Sequence, residues 1–290
     1  MDRAELLLDC RNLHGEGILW NDKDGRVWWT DIHGRHLWWF EPRSGKATSI
    51  PMPDRVCCFA PRRRGGFIVA FAKEVAFFDP ESGAISPFYC FEPENPETRL
   101  NDGRTDRQGR FVAGGMNEGS QTPTSTVIRV DPDGSVSTII TDVGCANSTC
   151  FAADGRRMYF ADSFAGTIWV YDYDIRAGLP SNRRVLKEFA DEPGIPDGSC
   201  VDAEGAVWNA VWEGRRLVRL LPDGTIDRVI EMPVLKPTCC AFGGPELDTL
   251  YITTSQLEMT PDQLAQEPMA GSLFAFKPGV RGLVDAPFAG

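Results

Sequence analysis

Four short tracts place oxygen-bearing side chains at one phase of an internal repeat. In RLNDGRTDRQGR (99–110), CANSTCFAADGR (145–156) and IPDGSCVDAEGA (195–206), Asn101, Asn147 and Asp197 each stand eight positions before a glycine: Gly109, Gly155 and Gly205. In HGEGILWNDKDGR, Glu16 stands nine positions before Gly25. Equal phase in a repeat means equal position in equivalent structural units. Units arranged around an axis would bring the four side chains together. Two carboxylates and two amide oxygens are hard donors, suited to Ca²⁺, Mg²⁺ or Mn²⁺ rather than to a structural thiolate zinc site. An open-sided Zn²⁺ or Fe²⁺ site is also compatible with them. Asp102 follows Asn101 directly and is placed to act through water. Taken one at a time, NDG, PDG and ADG are ordinary turn chemistry, because Asp and Asn bond their own backbone. The coincidence of phase across three units is what argues for ligands.

The repeat predicts the elements that must carry these residues. Each unit reads as an apolar strand, an Asp-Gly or Gly-Gly turn, an aromatic strand, a short turn, another apolar strand and a Pro/Asp/Gly turn. Six such units of about 40–50 residues fill the chain, the period of four-stranded propeller blades. Val, Ile, Phe, Tyr and Trp are enriched between the turn signals, as strands require. The expected fold is therefore all-β: one six-bladed β-propeller of four-stranded blades spanning 1–290 as a single domain. The site residues are expected just before the innermost strands, with Cys57 and Cys239 at the same phase in the second and sixth units. Residues 4–10 are expected to add a strand to the last blade, which hides its edge. One short surface helix is expected near 259–268, where Thr260, Pro261 and Gln263 resemble a capping box.

Composition narrows the partners. Against 30 basic residues stand 41 acidic ones, a net charge of −11. That argues against nucleic acid and anionic membranes, both of which need basic surfaces. No apolar run approaches the ~18 residues of a membrane span, and MDRAELLLDC lacks the pattern of a signal peptide. Nine cysteines without zinc-like CxxC spacing read as reduced, mostly buried thiols in a cytoplasmic protein. Trp28, Trp29, Trp38 and Trp39 read as blade packing, and Trp20, Trp208 and Trp212 as core. Of the three histidines, His14 lies near Glu16 and is placed to line a site. His33 and His36 fall in a blade turn and are expected to be exposed.

The same residues carry a resemblance. GEGILW around Glu16, RLNDGRTDRQGRFVAGGM, the Asn147 loop, SNRR (181–184), IPDGSCVDAEGAVW, the TCC and FGG of 238–244 and the final FAG together resemble the SMP-30/gluconolactonase/luciferin-regenerating family, which includes regucalcin. The resemblance implies a six-bladed propeller with one divalent cation, most often Ca²⁺. It places the ligands on Glu16, Asn147 and Asp197, with Asn101 and Asp102 beside the metal, and a substrate-binding arginine on Arg99. Glu118, in GGMNEG, is the carboxylate nearest the family's acidic substrate contact, and the following loop, 120–125, is short.

The implied activity is hydrolysis of a sugar-acid lactone to the aldonic acid. The residues suit it: a Lewis acid holds charge on the lactone carbonyl, Asp197 or, second, Asp102 serves as base, and Arg99 and Asn101 hold substrate oxygens. No Ser/His/Asp arrangement is present. The expected partner is a small sugar lactone, with no nucleic acid and no membrane, on a monomer or weak homo-oligomer. The alternative is a non-catalytic calcium-binding regulator of the regucalcin type.

Overall fold

The computed structural model describes residues 3–290, and in them the chain is nearly all β. Six four-stranded antiparallel sheets follow one another along the sequence. Their ranges are 15–51, 56–90, 98–143, 146–188 and 195–231, with 237–276 forming the sixth. The last sheet takes its fourth strand from the N-terminus: Glu5–Leu8 pairs with Leu273–Phe276. Both the six units and this borrowed strand agree with the sequence pattern. The expected helix is also present, as Pro261–Gln266. Thr260 and Gln263 form a reciprocal capping box, with proline in the first turn. No helix among the described residues is long and apolar enough to cross a membrane.

The six sheets group into two compact units. The first, residues up to Arg55 plus Phe189–Val284, holds the first, fifth and sixth blades. The second, Val56–Glu188 plus Asp285–Gly290, holds the second, third and fourth. Within each unit the leading strands of neighbouring blades lie side by side. Leading strands such as Pro237–Gly243 and Ala146–Phe151 are buried along their whole length. Strands buried on both faces suit blades that stack face to face. In the first unit Trp208, Leu217, Ile230, Phe242 and Phe274 pack together. In the second, Val112, Val127, Phe151, Phe160 and Tyr173 do so. The outermost strands are the exposed ones, and Ile226–Glu231 alternates between half-buried and exposed positions.

The tryptophans mostly pack blades, as expected, and the two most deeply buried indoles donate their N–H to an acceptor. Trp29 donates to Asn12 Oδ1 at 2.8 Å, and Trp208 donates to Asp202 Oδ2 at 2.9 Å. None of the nine cysteines forms a disulfide.

The site tracts differ from the expectation in one respect. NDG and PDG are not turns, and their residues do not precede the leading strands. They lie inside them, in Thr98–Thr105 and Ile195–Val201. Each leading strand is irregular at this point. Pairing jumps between Leu100 and Gly103 in the third blade, and between Pro196 and Ser199 in the fifth. It jumps between Glu16 and Leu19 in the first, and between Asn147 and Cys150 in the fourth. A bulge leaves residues unpaired and re-aims their side chains, which is why it recurs beside functional sites. The glycines of NDG and PDG serve neighbouring strands rather than a turn. A Cβ on Gly198 would collide with Cys239 Sγ, and one on Gly103 would lie 2.6 Å from Val112 O.

Candidate functional site

Ladder register gives the equivalence of positions more directly than spacing does. Gly15 pairs with Asp31, Leu100 with Gly115, Ala146 with Asp162 and Pro196 with Val211. The next residue in each leading strand is Glu16, Asn101, Asn147 or Asp197. Val56 pairs with Phe71, which puts Cys57 at the same position of the second blade. In the sixth blade Pro237 pairs with Thr254, so the equivalent residue is Thr238 and not Cys239. Spacing misplaced that residue by one, because this leading strand runs one residue further, to Gly243, before a turn of the same length as in the fifth blade. Thr238 Oγ1 donates to Gly15 O at 2.5 Å and lies 2.9 Å from Thr253 Oγ1. It ties blade to blade.

In the second unit the register position is built around Arg99. Its guanidinium is buried, with 4% of the side chain exposed. Nε donates to Glu118 Oε1 at 2.6 Å, and Nη1 donates to Asn101 Oδ1 at 2.6 Å and to Leu100 O at 2.9 Å. Asn101 Nδ2 in turn donates to Ala146 O at 2.9 Å. Asn101 thus braces the arginine against the next blade. Burial alone would lower the arginine's pKa, but nearby Cys57 and Glu118 outweigh it and the net shift is upward, so the cation is permanent. Glu118 is the partner that holds Arg99, and its side chain remains a third exposed. The short loop is pinned by Asn117, whose Nδ2 donates to Thr124 Oγ1 at 2.8 Å and whose Oδ1 accepts from Ser120 N at 2.9 Å.

Asn147 donates through Nδ2 to Ser163 Oγ at 2.8 Å, which fixes the direction of its carbonyl oxygen. Asp102 turns the other way. Its Oδ2 accepts the backbone N–H of Thr149 at 2.8 Å, and burial pushes its carboxyl above the usual range despite Arg104 nearby. The bulge therefore splits adjacent Asn101 and Asp102 between two tasks.

In the first unit Glu16 and Asp197 are both buried, each 6% exposed. Glu16 Oε2 accepts from Gly17 N at 2.8 Å. The Asp197 backbone carbonyl accepts from Asn209 Nδ2 at 2.9 Å, which fastens the bulge to the second strand of its own blade. His14, two residues before Glu16, is 8% exposed, and its Nδ1 lies 2.9 Å from Ser255 Oγ. Its ring meets Trp212 edge-on at 5.5 Å and His33 at 5.6 Å. His33 and His36 are half-buried rather than exposed. His36 opens the third strand of its blade, with Nδ1 2.6 Å from Gly34 O. Trp212 is half-buried against His14 and Lys236, not a core residue like Trp208. Sequence reasoning missed Ser255, Lys236 and the placement of Trp212, since they lie far from His14 along the chain. Ladder register is the signal that finds them.

Fold and register together define a six-bladed β-propeller whose leading strands carry oxygen-bearing side chains at one bulged position. Residues 14–256 match the profile of the SMP-30/Gluconolactonase/LRE-like region. An L-arabinolactonase of Azospirillum brasilense is 39% identical, over 99% of this chain and 96% of that protein. A 6-deoxy-6-sulfogluconolactonase of Pseudomonas putida is 34% identical, over 95% of each. A solved structure of regucalcin from Agrobacterium tumefaciens, described as a calcium-binding protein, superposes with a TM-score of 0.94. It is 28% identical, over 99% of this chain and 97% of that one. The chain belongs to the SMP-30/gluconolactonase/LRE-like family.

Proposed function

We propose that the protein hydrolyses a sugar-acid lactone, an aldono-1,4- or 1,5-lactone such as arabinono-, xylono-, galactono- or gluconolactone, to the free aldonic acid with a divalent cation as cofactor. That it is a lactonase rests on family membership and on two lactonase relatives that match nearly end to end. The observation supporting the chemistry is the single register position shared by Glu16, Asn101, Asn147 and Asp197.

Glu16, Asn147 and Asp197 fit a hard cation. Two are carboxylates, the third is an amide whose N–H₂ is already committed to Ser163, and all three are nearly buried. Such a cation, Ca²⁺ first and Mg²⁺, Mn²⁺, Zn²⁺ or Fe²⁺ as alternatives, supplies Lewis-acid polarisation of a carbonyl when bound.

The remaining roles fall to the chain. Arg99, held by Glu118 and Asn101, presents a fixed positive fork to lactone oxygens. Asp197 is the stronger candidate for the base that takes a proton from water. Asp102 is the weaker, since one of its oxygens is committed to Thr149 N–H.

The test is background-subtracted proton release near neutral pH on a panel of pentono- and hexonolactones, after chelation and after return of each divalent ion. Metal-restored turnover of at least one lactone is expected. A second reading, a calcium-binding regulator without catalysis, draws on the likeness to regucalcin. Tight Ca²⁺ binding with no lactone opened above background would establish it instead.

A further inference from the structure

His14 is the register equivalent of Arg99. Each stands one residue before the paired positions Gly15↔Asp31 and Leu100↔Gly115. Side chains alternate along a strand, so His14 shares a face with Glu16, as Arg99 does with Asn101. The fold itself does not require an imidazole here. The equivalent residues of the fourth and fifth blades are Cys145 and Ile195, and those blades close equally well.

The ring is nevertheless held from several sides. His14 N donates to Asp31 Oδ1 at 2.9 Å. Nδ1 lies 2.9 Å from Ser255 Oγ, and that hydroxyl is itself placed by Leu257 N and Leu13 O, each at 2.9 Å. Trp212 contacts the imidazole at 5.5 Å with an interplanar angle of 80°. Lys236 Nζ lies 4.6 Å from the Trp212 ring centroid and donates to Leu257 O at 2.7 Å. The Ser255–Leu257 segment therefore ties His14, Trp212 and Lys236 into one wall. Nδ1 faces Ser255, and Nε2 is the ring's other nitrogen.

We infer that His14 contacts the substrate: its Nε2 bonds a hydroxyl of the polyhydroxylated lactone and selects among lactones, with Trp212 and Ser255 as the residues that position it. The inference rests on the lactonase reading and assigns the sugar-recognising group contributed by the first blade. An imidazole backed by an aromatic ring and a fixed hydroxyl is pre-organised for one hydrogen bond, and a site that bonds a substrate hydroxyl rejects analogues lacking it.

The experiment compares wild-type protein, His14→Asn and His14→Gln at saturating divalent metal on the best lactone of the panel and its epimers. Asparagine keeps a donor toward Ser255 and loses the Nε2 position, whereas glutamine carries a polar group outward to it. For His14→Asn, KM for the best lactone should rise at least tenfold with kcat within about threefold, and preference among epimers should flatten. His14→Gln should recover part of the loss. Metal affinity by calorimetry and the melting temperature should stay near wild type. Unchanged kinetics in His14→Asn overturn the inference. So does a fall in kcat that accompanies lost metal affinity or lost stability, since that marks a structural role. Wild-type protein inert toward every lactone overturns the lactonase reading itself, and this inference with it.

Discussion

The first and fourth blades use one clamp to present different chemistry. Asp31 ends the second strand of the first blade and accepts from Leu13 N at 3.1 Å, His14 N at 2.9 Å and Gly34 N at 2.9 Å. Asp162 ends the second strand of the fourth and accepts from Gly144 N at 2.7 Å, Cys145 N at 3.0 Å and Phe164 N at 3.1 Å. The carboxylate thus satisfies three backbone groups in either blade and delivers the leading strand to its bulge. Beyond the clamp the two strands diverge. One presents His14 and Glu16, the other Cys145 and Asn147. Even the strained position is shared: Gly17 and Ser148, one residue on, both have φ of 57°. The backbone is repeated, and the two blades differ in the side chains that it carries.

The largest expected effect separates blades that share the register position. Asp197→Ala should lower turnover at least 10³-fold, about 4 kcal/mol of barrier, and abolish metal binding by calorimetry in a folded protein. Thr238→Ala, at the same position of the sixth blade, should leave metal affinity within about threefold. Equal loss of metal in both would end the distinction between ligand-bearing and tying blades.

The clamp comes next. Asp31→Ala and Asp162→Ala each strand three backbone donors, and with partial rescue by water each should cost about 3 kcal/mol, roughly 6–12 °C of melting temperature. Similar losses are expected from the two. A loss confined to one blade would mean that the clamps are alike in geometry and unlike in energy.

Arg99→Ala should reduce kcat/KM by about 10²-fold, on the order of 2.7 kcal/mol, while metal affinity holds. Metal loss with intact catalysis after reconstitution would reverse its role.

Asp102 offers a test by pH. Burial raises its folded carboxyl above 3.8, so within the window starting there the folded state binds more protons than the unfolded chain. Stability from this group is therefore lost as pH rises through the folded value. Asp102→Asn keeps an acceptor for Thr149 N–H without that loss. Its stability relative to wild type in urea titrations should grow from about pH 4 toward neutrality. A constant difference across that range would contradict the buried-charge account, and activity retained in the same variant would remove Asp102 as a base.

The smallest effect concerns the shared left-handed residue. Gly17→Ser copies the fourth blade into the first and should cost about 1 kcal/mol, the usual penalty of that conformation for an L-residue. A much larger loss of stability would show that the first bulge needs glycine for space as well as for φ.

Periodicity is a local property, and the features it encodes were legible. Strand alternation and turn glycines reveal six four-stranded blades. The N-terminal strand and the capped helix at Pro261–Gln266 come from equally local signals. The common phase of Glu16, Asn101, Asn147 and Asp197 is visible because their spacing to the next turn is nearly constant. The sixth blade escaped that counting because its leading strand runs one residue longer before the turn, so Thr238 rather than Cys239 holds the position.

By itself, then, the amino-acid sequence determined the repeat, the family and four of the oxygen-bearing residues at one register position. The tertiary structure alone decided that these residues ride on bulges within strands. It also decided that Asp102 turns toward Thr149 while Asn101 braces Arg99, and that His14 rests on Ser255, 241 positions away. The physical reason is that backbone pattern repeats every few residues, whereas a buried side chain's partners come from whichever strand packs beside it, and no local period records that neighbour.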